Sequence, residues 1–133
     1  MVEKVGFLKK ELEMKFDEAV KHVESIVAEE GFSVMLVKPI HKIFKKKLGI
    51  DYTKYTIILA CGAPFAKAAL DVSLDVGMLF PCSFVVYEAE GKVWVAHISI
   101  MKIAPSIGLA PVDEMEPVIK MTGDAVHKAW DRL

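Results

Sequence analysis

Cysteine is scarce in this chain: 133 residues contain two, Cys61 and Cys82. That argues against a disulfide framework and fits a reducing compartment. Charge of one sign is also lacking, since the net charge is −1. No overall field therefore draws the chain to nucleic acid or to an anionic membrane. No apolar run approaches the ~18 uninterrupted residues of a membrane span. The opening Met1-Val2-Glu3-Lys4 lacks the apolar stretch of a secretion signal. Glycine-rich phosphate loops, GxSxG, HExxH, EF-hand loops and paired carboxylates do not occur, nor do repeats or linkers. Two thiols separated by twenty residues, with no CxxC or HxxxH, make a poor metal motif. The absences predict one cytoplasmic domain over residues 1–133, with no metal, no cofactor, no nucleic acid and no membrane partner.

What is abundant is apolar surface, 53% of residues. Either both faces of a sheet are covered, or an apolar face is buried in an oligomer. Weak alternation predicts a strand over 5–14, with Lys10, Leu12 and Met14 opposed to Lys9, Glu11 and Glu13. Phe16, Ala19, Val20, Val23, Ile26 and Val27 form one helical stripe, stopped by Gly31. Phe32–Val37 reads as an interior strand. Pro39 opens a short helix with Ile40, Ile43, Phe44 and Leu48 on one side and His41, Lys42, Lys45, Lys46 and Lys47 on the other. That basic side is either a solvated face or an anion site.

Tyr55–Ala60 is the next strand, followed by a helix from Pro64 with the small residues Ala66, Ala69 and Ser73 in a row. Such a row suits close approach to a sheet or to a partner. Gly77 closes the helix, which leaves Asp75 badly placed at its negative end. Ser83–Tyr87 and Lys92–Ile100 form a hairpin through Ala89-Glu90-Gly91. A type I turn with left-handed Gly91 spares Glu90 a positive φ and sets Glu88 opposite Lys92. In that register His97 faces away from Cys82, and reaches it only if the turn has two residues. Pro105–Pro111 reads as a loop, and a last helix carries Met115, Val118, Thr122, Val126 and Trp130 on its stripe. The predicted order is β-α-β-α-β-α-β-β-α.

Cys61 precedes a helix N-terminus, a position that lowers a thiol pKa, but a free cysteine is equally at home as a small buried apolar residue. Whether Cys82 joins it depends on topology. Parallel strands 55–61 and 82–87 would leave the two roughly a strand length apart, whereas antiparallel neighbours would set them side by side.

The segment Tyr55–Cys61, Pro64, Ala66, Ala69-Leu70, Gly77 and Leu79-Phe80-Pro81-Cys82 resembles the DUF302 family, a domain of unknown function. Phe16-Asp17-Glu18-Ala19-Val20 and Glu30-Gly31-Phe32 look like its first helix and exit. The turn Cys61-Gly62-Ala63-Pro64 is one residue longer than the family's and lacks its asparagine; Lys15 and Phe80 also depart from its pattern. The resemblance implies a TBP-like α+β two-layer sandwich with a mainly antiparallel sheet of about five strands, often dimeric. It favours the antiparallel alternative and brings no reaction with it.

The chain is thus expected to be a homodimer that binds a small molecule in a pocket lined by Cys61, Gly62, Pro64, Phe80, Pro81 and Cys82. A thiol redox or sulfur-transfer enzyme using Cys61 as nucleophile and Cys82 as resolving thiol is the enzymatic alternative. An interaction module assembled through the Ala66/Ala69/Ser73 helix face is the third.

Overall fold

A computed structural model describes residues 7–133. Residues 5 and 6 of the predicted first strand fall outside them. The strands are β1 (Phe7–Leu12), β2 (Ser33–Pro39), β3 (Tyr55–Cys61), β4 (Cys82–Ala89) and β5 (Lys92–Ile98). The helices are α1 (Phe16–Glu29), α2 (Ile40–Leu48), α3 (Ala63–Val72), α4 (Ile100–Ser106) and α5 (Val112–Arg132), with a 3-10 helix over Leu74–Leu79. One five-stranded sheet runs β1-β5-β4-β3-β2, and every neighbouring pair is antiparallel. The α+β two-layer class and the predicted order of strands and helices are observed, with α4 added.

Period-two alternation sorts the sheet into two unlike faces. Leu12, Ile58, Ala60, Phe84, Val86, Val93 and Val95 join Phe16, Ala19, Val23 and Val27 of α1 and Val126 and Trp130 of α5 in the main core. The helices thus lie against one face. A second core joins α3, the 3-10 helix, Cys82, α4 and the first half of α5 through Ala69, Val76, Met101, Ala104, Met115 and Val118. Lys10 locks β1 to the end of α5: its Nζ donates to the Trp130 carbonyl at 2.6 Å and sits 5.3 Å from the indole centroid. Burial lowers the Lys10 pKa, the cost of bringing an ammonium to a helix C-terminus that welcomes it.

Several local expectations are corrected. The 88–92 connection is a two-residue turn: Ala89 pairs with Lys92, and Glu90 takes φ +54 beside Gly91 at +75. Strand twist favours the primed turn over one that would spare Glu90. The register moves by one, so His97 stands opposite Phe84 and joins the helix-covered face. β2 is an edge strand with Met35 62% and Leu36 44% exposed, because the bulge between Val34 and Leu36 breaks its alternation. α3 stops at Val72, before Gly77; Ser73 caps the following 3-10 helix and accepts from the Asp75 N–H. Asp75 is therefore at a helix start, where a carboxylate belongs.

α4 occupies part of the predicted strand end and loop, capped by Ser99, whose Oγ accepts from the Lys102 N–H. α5 begins at Val112 with Pro117 inside it, in its first turns. α2 fully buries none of its residues, and Ile40, Ile43 and Phe44 of its apolar stripe are half-buried. Ala69 is wholly buried within the chain and the Ser73 hydroxyl donates to Leu109 O, so the small-residue face of α3 packs internally.

Candidate functional site

The antiparallel β3–β4 pair decides the position of the two cysteines. Ala60 stands opposite Cys82, making Cys61 its diagonal neighbour. Both are free thiols, Cys82 buried and Cys61 half-buried. Cys61 falls with the half-buried set of β3 and Cys82 with the buried set of β4. At the last residue of β3, where the chain leaves the sheet for α3, both reach one cleft.

That cleft has an empty volume of about 240 Å³, much of it open to solvent, and its interior has room for a single water-sized group. Phe32, Cys61, Gly62, Phe65, Ala66, Phe80, Pro81, Cys82, Met101 and Thr122 line it. Five of the six residues singled out from sequence are there; Pro64 is not. The Phe32 and Phe65 rings, 5.3 Å apart, form one wall. Gly62 is required by that wall: a Cβ there would lie 2.3 Å from the Phe65 ring. Gly62 is also the N-cap of α3 and supplies no side-chain cap, and Pro64 offers no N–H, so the Ala63 and Phe65 amides of the first turn are left unpaired within the helix.

Two electrostatic features distinguish the cleft. Burial pushes the Cys82 thiol up to about 11, and the nearby Cys61 thiol acts in the same direction. Cys82 therefore keeps its proton at neutral pH, which is unfavourable for a resolving thiolate. The second feature is Thr122, 3% exposed. Among the described residues its Oγ1 is the buried side-chain polar atom with no hydrogen-bond partner. A hydroxyl on a helix ordinarily returns to the carbonyl four residues back. This one does not.

His97, on the same sheet face as Cys82, belongs to the core. Its ring stacks on Phe84 with centroids 4.2 Å apart, and its Nδ1–H donates to Ser83 O at 2.9 Å. Desolvation, only partly opposed by that hydrogen bond, lowers its pKa to about 4. At the opposite end of the sheet His41 Nδ1 accepts from the Tyr55 N–H at 3.0 Å and holds α2 against β3. Lys42, Lys45, Lys46 and Lys47 of α2 are exposed, with Lys45 paired to Asp51 at 3.0 Å. Of the four, Lys42 lines a shallow cleft with Asp17, Lys21, Glu24 and His41, where carboxylates offset the lysines. Among the described residues no group of three His, Cys, Asp or Glu is placed to hold a metal ion, and no helix is long and apolar enough to cross a membrane.

Met101 goes unmarked in the sequence: it falls between the strand predicted to end at Ile100 and the loop predicted from Pro105, where the structure places α4. Thr122 counts there only as part of an apolar stripe, since a helix face is legible in sequence but the pairing of its hydroxyl is not.

The architecture has a close counterpart. A crystal structure of an uncharacterised conserved DUF302 protein from Bacillus stearothermophilus superimposes with a TM-score of 0.83, covering 96% of this chain and 97% of that one at 20% identity. At that identity the likeness concerns the fold alone. No curated protein matches the chain. The family model described as "Domain of unknown function DUF302" matches residues 8–133. With nearly the whole chain, both cysteines and the entire cleft inside that match, the chain belongs to the DUF302 family.

Proposed function

We propose that this domain binds a guest of a few atoms in the Cys61/Cys82 cleft and works as a cytoplasmic homodimer. The observation that carries the binding is the unpaired Thr122 hydroxyl in the wall of a cleft also lined by two cysteines. A buried hydroxyl without a partner costs about 1–3 kcal/mol, which a bound polar atom would recover. Size limits the guest. Drug-sized ligands use pockets of about 300–1,000 Å³, and the enclosed part of this one is far smaller.

The test is a titration with hydrosulfide, thiocyanate, acetamide, dimethyl sulfide and Cu(I), followed by the Met101 methyl resonance. At least one is expected to shift it saturably, with the response weakened or lost in both Thr122→Val and Cys61→Ser. A Met101 methyl indifferent to the whole panel would remove the site.

The dimer rests on the sheet face opposite the helices. Ile57, Leu59, Val85, Tyr87, Trp94 and Ile98 alternate onto it and belong to neither core. Five strands ~4.8 Å apart and ~20 Å long give a footprint of roughly 480 Å², at the upper end of what a monomer exposes. Its charged residues Lys9, Glu11, Lys38 and Lys92 stand on the edge strands or at a strand end, and Lys9 lies over the Tyr87 and Trp94 rings at 5.3 and 4.9 Å. A second copy packed sheet to sheet would cover it. Val85→Glu, at the centre of this face, is expected to turn a dimer into a monomer in sedimentation velocity without altering the circular dichroism. A wild-type monomer, or a variant that still dimerises, would refute the assignment.

A further inference from the structure

The guest's chemistry follows from the donors in the cleft. Besides Cys61 and Cys82, the lining contains a third sulfur, the thioether of Met101, brought there by α4. Met101 is 2% exposed, held between the two cysteines' end of the sheet and α5. The rest of the wall is phenylalanine, proline, alanine and glycine, with Thr122 as the polar exception. Carboxylate, imidazole and amine are missing from it. A set of two thiols and one thioether in a mostly apolar, atom-sized space is matched to a soft ion of low coordination number. Zinc asks for four ligands, commonly including imidazole or carboxylate. Calcium and magnesium ask for oxygen.

We propose that the cleft is a Cu(I) site, with Cys61 and Cys82 as thiolate ligands and Met101 as a weaker third donor. The proposal rests on the ligand-binding reading above and specifies its guest. On binding, two S–H bonds break and two Cu–S bonds form; both protons leave to solvent, and the copper stays Cu(I) throughout. The bis-thiolate complex carries one net negative charge, which an apolar cleft would ordinarily penalise. Two features already present offset it. The Thr122 hydroxyl, which reaches no acceptor in the structure, sulfur included, lines the same cleft and would turn toward a thiolate formed there. The first turn of α3, uncapped at Gly62, presents the Ala63 and Phe65 amides and the positive end of its dipole beside Cys61.

The experiment is an anaerobic titration of the full chain with Cu(I) against a chromogenic Cu(I) chelator, with X-ray absorption on the loaded protein. One ion per chain in a sulfur-only shell is expected, with about two protons released in weak buffer. Cys61→Ser and Cys82→Ser should abolish stoichiometric binding. Cys82 is buried, so its variant could misfold. Met101→Leu and Thr122→Val conserve volume, and each should weaken binding about 10–100-fold with the fold retained by circular dichroism. A shell containing nitrogen or oxygen donors overturns the site, as does affinity unchanged in both conservative variants. If Cu(I) fails while dimethyl sulfide or hydrosulfide still shifts the Met101 methyl, the metal assignment falls and the ligand-binding reading stands. If nothing enters, both fall.

Discussion

Replacing Phe84 with alanine is expected to lower the unfolding free energy by about 3–5 kcal/mol. Phe84 is fully buried at the centre of the sheet's helix-covered face, in the core that joins β3, β4, β5, α1 and α5. It also covers His97, which stacks flat on it at 4.2 Å with 17° between the planes. Deleting the ring leaves a cavity between sheet and helices and removes the apolar cover that keeps the imidazole dry. Both losses act in the same direction. Phe84→Leu, which keeps most of the volume, should cost less than half as much. Urea denaturation of the three proteins at pH 7.5 measures the series. A Phe84→Ala penalty below about 1.5 kcal/mol would mean that the helices collapse onto the sheet, or that the core is looser than its burial indicates.

Acidification is expected to destabilise the domain through His97. Its folded pKa of about 4 lies below the ordinary 6.5, because burial opposes the imidazolium more than the Ser83 carbonyl favours it. The unfolded chain therefore binds a proton that the folded one refuses, and stability falls as pH drops through the unfolded value. The loss begins near pH 6.5 and is complete near pH 4. Over the whole window it amounts to about 3 kcal/mol, and between pH 7 and pH 5 to about 2 kcal/mol. The charge of His127 also disfavours protonation of His97. His97→Gln can still donate to Ser83 O and carries no titratable group. Urea midpoints at pH 5 and pH 7.5 should differ far less in that variant than in the wild type, after both are compared at equal salt. Parallel pH dependence in the two proteins would assign the effect to other groups.

Much of this fold is legible without coordinates. The stripe Phe16, Ala19, Val23, Val27 packs as a helix face, and β3 alternates as Tyr55–Ala60 suggest. These signals are local: they depend on spacing within one element, and one buried face satisfies them. Errors cluster where two local preferences compete and a distant contact decides. Glu90 dislikes a positive φ, yet the twist of β4 against β5 holds it there. One residue of register followed from that turn, and with it the face on which His97 lies. The residues between the predicted strand end at Ile100 and Pro105 carry no clear local signal; Ser99 capping and the packing of Met101 and Ala104 on α5 make them a helix.

The cleft divides in the same way. Gly62, Pro81 and the two strand-end cysteines attract notice as types and spacings. Bringing them to one place required the antiparallel pairing of β3 with β4, which the chain between residues 62 and 81 permits but does not impose. Phe32, Met101 and Thr122 come from three other elements, and nothing in their local sequence marks them as neighbours. By itself the sequence determined the five strands and the helices other than α4, which residues are apolar enough to bury, and that two thiols stand at strand ends, because each is a property of a short window. Only the tertiary structure decided which face His97 occupies, that Met101 completes a set of three sulfurs, and that the Thr122 hydroxyl has no partner. Each of those depends on how elements far apart in the chain meet.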